Sequence, residues 1–298
     1  MSEEAPVPDP QATAPAGVSA GAVTVGPDAG VAAAATAPGC VPHEATPARQ
    51  DAPALRWWRE LAYVAVLYAV YSVIRNQFGS AAVGEAEALA NAERIIALER
   101  ALGTFHEVAV QQWFLDARPV VQALNVLYGT LHFAVTIGVL VWLFRRRPAD
   151  YMVNRTVLMA TTALALVGFA AFPLLPPRLL PPGYGFVDTV RDLGGLWSFE
   201  SAPVAAVSNQ YAAMPSLHFA WSAWCALALV PALRRRTAKA LAAAYPALTL
   251  VVIVVTGNHY WVDAAGGLVV LGLGWLSWRV LESLRGLPGE VVVGRMRR

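Results

Sequence analysis

The sequence predicts an all-α polytopic membrane protein: a six-transmembrane-helix bundle with an amphipathic helix on the membrane surface. Three observations predict it. Of the 298 residues, 57% are apolar and only 14% are charged, against about 25% charged in an ordinary soluble domain. Mean hydropathy is +0.49, although the N-terminal stretch contains no hydrophobic run. Beyond that stretch, apolar runs of 18 to 26 residues recur. At ~1.5 Å per residue each can cross a ~30 Å hydrocarbon core. A net charge of +2 argues against nucleic acid as a partner. Cys40 and Cys225 are too few for a disulfide scaffold or a zinc cluster.

Residues 1–54 are Ala, Pro, Gly, Val and Thr with scattered acids and no periodicity. Such a segment buries too little surface to offset its ordering entropy, so a disordered tail is expected. Glu3 and Glu4 stand where a signal peptide would be basic. The six expected spans are residues 57–74, 119–144, 153–175, 215–233, 238–256 and 260–281, within a membrane domain over 55–285. Residues 81–117 mix Glu85, Glu87, Glu93, Arg94, Glu99 and Arg100 with apolar residues, which reads as amphipathic helix on the membrane surface. Residues 176–213 form a Pro- and Gly-rich loop, and 286–298 a basic tail.

Basic residues orient the bundle. Arg145, Arg146, Arg147 and Arg155 flank the connection between spans two and three. Arg234, Arg235, Arg236 and Lys239 flank the one between spans four and five. The alternate connections are poor in basic residues. The positive-inside rule makes the clusters cytoplasmic, with both termini inside and loops 76–118, 176–213 and 256–260 outside.

Polar residues at the outer ends of the spans carry the chemistry. His218 opens span four, and His259 opens span six, four residues before Asp263 and on the same helix face. Arg178 leaves span three on the same side. An imidazole can attack phosphorus. A carboxylate on its far nitrogen fixes the tautomer. A second imidazole can protonate the leaving alkoxide, and a guanidinium matches phosphate oxygens. This set suits phosphoryl transfer and needs no metal or cofactor. Two histidines and one carboxylate, with no cysteine, make a poor zinc site. Ser216 and Asn258 neighbour the histidines; each could bind phosphate or equally cap a helix. Asn125, Tyr128 and His132 form a stripe on span two that should face the bundle interior. Counting from Pro119 puts His132 ~20 Å deep, below the site, in a structural hydrogen bond.

Pro215-Ser216-Leu217-His218 and His259-x-x-x-Asp263 resemble the P-S-G-H and H-x-x-x-D motifs of the type 2 phosphatidic acid phosphatase superfamily. Residues 213–218 and 259–263, with Phe172-Pro173 and Pro176-Pro177-Arg178, are similar to the branch containing inositol phosphorylceramide synthase. The resemblance implies an active site at the membrane surface. It implies His259 as nucleophile, Asp263 as its orienter, His218 as acid and Arg178 as phosphate ligand. The sequence departs from the family in three places. Val252 and Ile253 replace the S-R before the last histidine. Leu217 replaces a glycine. Arg118-Pro119 has Gln111 where the first motif has lysine, and it precedes span two.

The expected function is therefore an integral-membrane enzyme of the cell membrane acting on a lipid phosphate ester through a phosphohistidine, with its active site on the extracytoplasmic face. Transfer to an alcohol, such as a polyol, is expected because Tyr184, Phe186, Trp197, Phe199 and Tyr211 equip the outer loop to exclude water. The alternatives are a lipid phosphate phosphatase and a non-enzymatic transporter or scaffold.

Overall fold

The computed structural model describes residues 56–78, 83–194 and 209–285. The chain divides into units 1–50 and 51–298, and every described residue belongs to the second. The expected tails, 1–54 and 286–298, lie outside the described residues.

The described residues are helical, and no strand forms among them. The helices are α1 (Trp57–Phe78), α2 (Glu85–Leu102), α3 (Glu107–Leu115), α4 (Arg118–Arg146), α5 (Pro148–Ala171), α6 (Thr189–Leu193), α7 (Leu217–Leu229), α8 (Arg236–Val255) and α9 (Trp261–Leu284). Helices α4 and α5 each carry proline in the first turn, where the missing N–H costs nothing. Ser216 starts α7 by accepting the Phe219 N–H at 3.3 Å.

Four helices, α4, α5, α8 and α9, are long and apolar enough to cross a membrane. The other two expected spans correspond to α1 and α7. Helix α1 has 22 residues and no buried one, with Arg59 and Glu60 in its first turn and Arg75 in its last. Helix α7 has only 13 residues, or ~20 Å. Its run is shortened because Pro215 and Ser216 belong to the preceding turn. The expected surface segment is two helices, α2 and α3. Helix α2 is amphipathic as its pattern requires: Ala88, Ala92, Ile95 and Ile96 are buried, while Glu85, Glu87, Glu93, Arg94 and Arg100 are exposed. Glu99 breaks that pattern and is buried.

Helix α9 packs on α5 and α7, while α4 packs on α5, α7 and α8. One apolar cluster joins Leu143 of α4, Val157 of α5, Trp224 of α7 and Trp278 of α9. A second, at the other end, packs Ala88 and Ile96 of α2 on Leu174, Leu175 and Tyr260. Helix α9 approaches α7 closely at Gly267. A Cβ there would lie 2.6 Å from the Ser216 carbonyl oxygen, so only glycine fits.

The pattern of polarity is that of a lipid-facing surface. Phe133 and Ile137 on α4, Leu241 on α8 and Val269 and Leu276 on α9 are exposed, while Asn125, Thr136, Thr161 and Ser222 are buried. The two basic connections lie together, because Arg147 Nη2 donates to the Ala232 carbonyl at 2.9 Å. Helix α1 begins at the same end: Glu60 accepts from Arg155 at 2.7 Å and from the Tyr151 hydroxyl at 2.8 Å.

Candidate active site

At the opposite end, α8 stops at Thr256 and the chain reverses through Gly257, whose φ is +68°. A side chain at Gly257 would meet Gln111 Nε2 at 2.8 Å and Arg178 Cβ at 3.3 Å. Asn258 and His259 then donate their backbone N–H groups to the Ile253 carbonyl at 3.0 and 3.2 Å. This turn fixes His259 immediately before α9. Asp263, in the first turn of α9, accepts the Tyr260 N–H at 2.9 Å.

His259 is 2% exposed and Asp263 0%. Nδ1 of His259 lies 2.8 Å from the Ala213 carbonyl and 3.3 Å from Asp263 Oδ2. A carbonyl only accepts, so Nδ1 carries a proton, and in the neutral ring Nε2 is the nitrogen with the lone pair. Nε2 is buried and has no hydrogen-bond partner. A buried polar atom left unsatisfied is costly and marks a place where a ligand atom or a reaction supplies the partner.

The His218 ring lies 5.5 Å from that of His259, centroid to centroid. It stacks on Tyr128 at 4.3 Å and touches His132 at 4.1 Å. His132 Nδ1 donates to the Tyr128 carbonyl at 3.0 Å, the structural bond expected of it. Its depth is a correction: His132 is beside His218, not below the site. Depth along α4 is not depth below the site, because the start of α4 is itself covered. Gln122 donates to Leu193 O at 2.8 Å, and Asn125 to Thr189 O and Gly194 O, both at 2.9 Å. The loop after α5 therefore sits on the first turns of α4, and the site lies beneath it. A small cavity lined by Tyr128, His132, His218, Val252 and Ile253 opens beside the imidazoles. Ile253, at the position of the family arginine, is an apolar wall.

Arg178 sits in the turn Pro177–Leu179, tied down by its N–H to the Gly257 carbonyl at 2.7 Å. Its Nε donates to Asn258 Oδ1 at 3.0 Å and its Nη1 to Asp188 Oδ2 at 2.9 Å. Both charged side chains are buried. Arg178 and Asn258 are thus brought together beside His259, as each other's partners. In the sequence Asp188 is one acid among several in the loop, with no spacing that ties it to Arg178. Ser216 is fully buried and caps α7, and its N–H donates to the Asp263 carbonyl at 2.9 Å. Gln111 holds the loop by bonding Val187 at both backbone atoms and the Val255 carbonyl. Arg118 is exposed at the start of α4.

Of the aromatic loop residues, Tyr184, Phe186 and Tyr211 pack against the cluster of α2 and Tyr260. Trp197 and Phe199 lie outside the described residues. The profile of the PAP2 superfamily matches residues 93–277, which include all the site residues above. No curated protein and no solved structure matches the chain.

Proposed function

The chain belongs to the PAP2 superfamily, a phosphatase-type family acting on phosphate esters, and from that premise we propose a metal-independent phosphotransferase of the cell membrane. Its substrate is a lipid phosphate ester and its preferred acceptor an alcohol, as in the branch containing inositol phosphorylceramide synthase. The observation that carries the reading is the His259 Nε2 atom. It is buried and unpartnered, and the opposite ring nitrogen is held by Ala213 and Asp263.

In the first step Nε2 bonds to phosphorus while the bond from phosphorus to the leaving oxygen breaks. His218 gives that oxygen its proton. Asp263 stabilises the charge that develops on His259. Arg178, steadied by Asn258 and Asp188, supplies positive charge to the phosphate oxygens. In the second step an acceptor hydroxyl loses its proton to His218 and bonds to phosphorus. The Nε2–phosphorus bond breaks, and both imidazoles return to their starting states.

The same residues serve water or an alcohol as acceptor, so the choice rests on water exclusion. The described part of the outer loop supports transfer. It is pinned to α3 and α4 through Gln111 and Asn125, and its aromatic residues are packed. Helices α1 and α7 complete a six-span bundle with cytoplasmic termini and an extracytoplasmic site. The test is product analysis with purified protein, a lipid phosphate ester, inositol and chelator, against His259→Ala. A phosphorylated alcohol that depends on His259 is expected. Free phosphate alone, unchanged by any alcohol, makes the enzyme a phosphatase. Activity lost in chelator and restored by Mg²⁺ rejects the metal-free assignment.

A further inference from the structure

The start of a helix leaves backbone N–H groups without intrahelical acceptors, and such ends commonly bind phosphate. At α9 protein carboxylates take them instead. Tyr260 N–H goes to Asp263 Oδ2 at 2.9 Å, Trp261 N–H to Glu107 Oε1 at 3.2 Å, and Val262 N–H to Glu99 Oε1 at 2.8 Å. Glu107 comes from α3 and Glu99 from α2, and both are completely buried. Their second oxygens, Oε2, are also buried and have no hydrogen-bond partner. The two carboxyl groups thus hold adjacent amides of one turn, and each keeps a second buried oxygen without a partner. Ionised carboxylates only accept, so a proton carried by one of these buried oxygens is what can serve both.

Resting on the function proposed above, we infer that Glu99 and Glu107 form a one-proton clamp on the first turn of α9 and act as positioning residues for His259 and Asp263. Each oxygen of the pair then has a role. Oε1 of each residue holds one amide of the turn, and the Oε2 atoms share the proton. The shift is in the direction this requires: burial first, then the neighbouring Glu107 carboxyl, pushes the Glu99 carboxyl up to about 9. The ionisable groups facing Glu99 are Glu107 from α3 and Asp263 from α9, with Tyr260 beside them. None is cationic: the amides of the turn favour negative charge, but no cation among these groups offsets a second one.

The clamp holds below about pH 9 and opens as the proton leaves and two adjacent buried carboxylates repel. Stability follows the same sign. Above the ordinary carboxyl range the unfolded chain has lost this proton and the folded chain keeps it. Stability therefore falls as pH rises toward about 9 and levels off beyond. In Glu99→Gln the amide carbonyl can accept the Val262 N–H, and the amide N–H replaces the shared proton.

The experiment compares wild type, Glu99→Ala and Glu99→Gln by phosphate-transfer rate and by thermal unfolding in detergent, from pH 6 to pH 10. Glu99→Ala is expected to lower kcat by roughly tenfold or more with little change in KM, since it frees a buried amide. Glu99→Gln is expected to rescue most of that loss and to remove the alkaline fall in rate. Its unfolding temperature should fall less than that of wild type between pH 7 and pH 9. Equal pH slopes of unfolding in wild type and Glu99→Gln, or no rescue by Gln, overturn the clamp. If wild type turns over no phosphate ester, the proposed function fails, and the unfolding slopes still decide the clamp.

Discussion

At His218 the ring and the proton do separate work. The ring packs between Tyr128 and His132, and the proposed reaction uses only the proton. His218→Ala should therefore lose about 10²–10⁴-fold with a natural alkoxide leaving group. With an activated ester, whose leaving group needs no proton, the phosphohistidine should still accumulate. His259→Ala should give no intermediate with either ester. Trapped labelled phosphohistidine in His259→Ala refutes the nucleophile assignment. The histidines and Asp263 were legible because an ionisable residue at a membrane boundary needs a reason to be there. Spacing alone put His259 and Asp263 on one face. His132 and the carboxylates Glu99, Glu107 and Asp188 were not legible as neighbours of the site. Their roles depend on how the loop and the surface helices fold over the bundle, which no local period encodes. By its pattern Glu99 is one more charge in an amphipathic helix on the membrane surface.

Among the elements, α7 carries the site at the least length. It has 13 residues, yet it presents His218 and lies in contact with α4, α5, α8 and α9. Its seat on α9 depends on Gly267, which lets the Ser216 carbonyl come close. Ser216 also donates its N–H to the Asp263 carbonyl, so the joint couples the two histidine-bearing segments. Gly267→Val should overpack this joint and cost about 1–3 kcal/mol. The readout is a lower unfolding temperature in detergent, with activity lost alongside it. An unchanged unfolding temperature would show that the joint is looser than its contacts imply. Hydropathy made α4, α5, α8 and α9 legible, since their lipid-facing sides are apolar for whole turns. It gave α7 too many residues, because Pro215 and the apolar residues after Leu229 extend the run without extending the helix. It joined α2 and α3 into one segment, because the break at Gly103 is a backbone event inside a mixed pattern.

Across the whole molecule the two ends differ in kind. The connections bearing Arg145–Arg147 and Arg234–Arg236 are bound together by the Arg147–Ala232 contact. The first helix starts at that end through Glu60, and the last helix ends there, since Trp278 shares a cluster with Leu143 and Tyr151. The other end holds His259, His218 and Arg178 under α2, α3 and the loop after α5. Positive charge is retained on the cytoplasmic side during insertion, so the basic end should face the cytoplasm and the site should face out. Single cysteines at Asp192 and Arg235, in a chain with Cys40 and Cys225 replaced, report each end. Both positions are exposed, so burial does not confuse the reading. In intact cells a membrane-impermeant thiol reagent should label Asp192→Cys, and Arg235→Cys should react only after permeabilisation. The reverse pattern would put the phosphate chemistry on the cytoplasmic face. Its lipid substrate and alcohol would then have to come from that side, and the positive-inside assignment would be wrong for this chain.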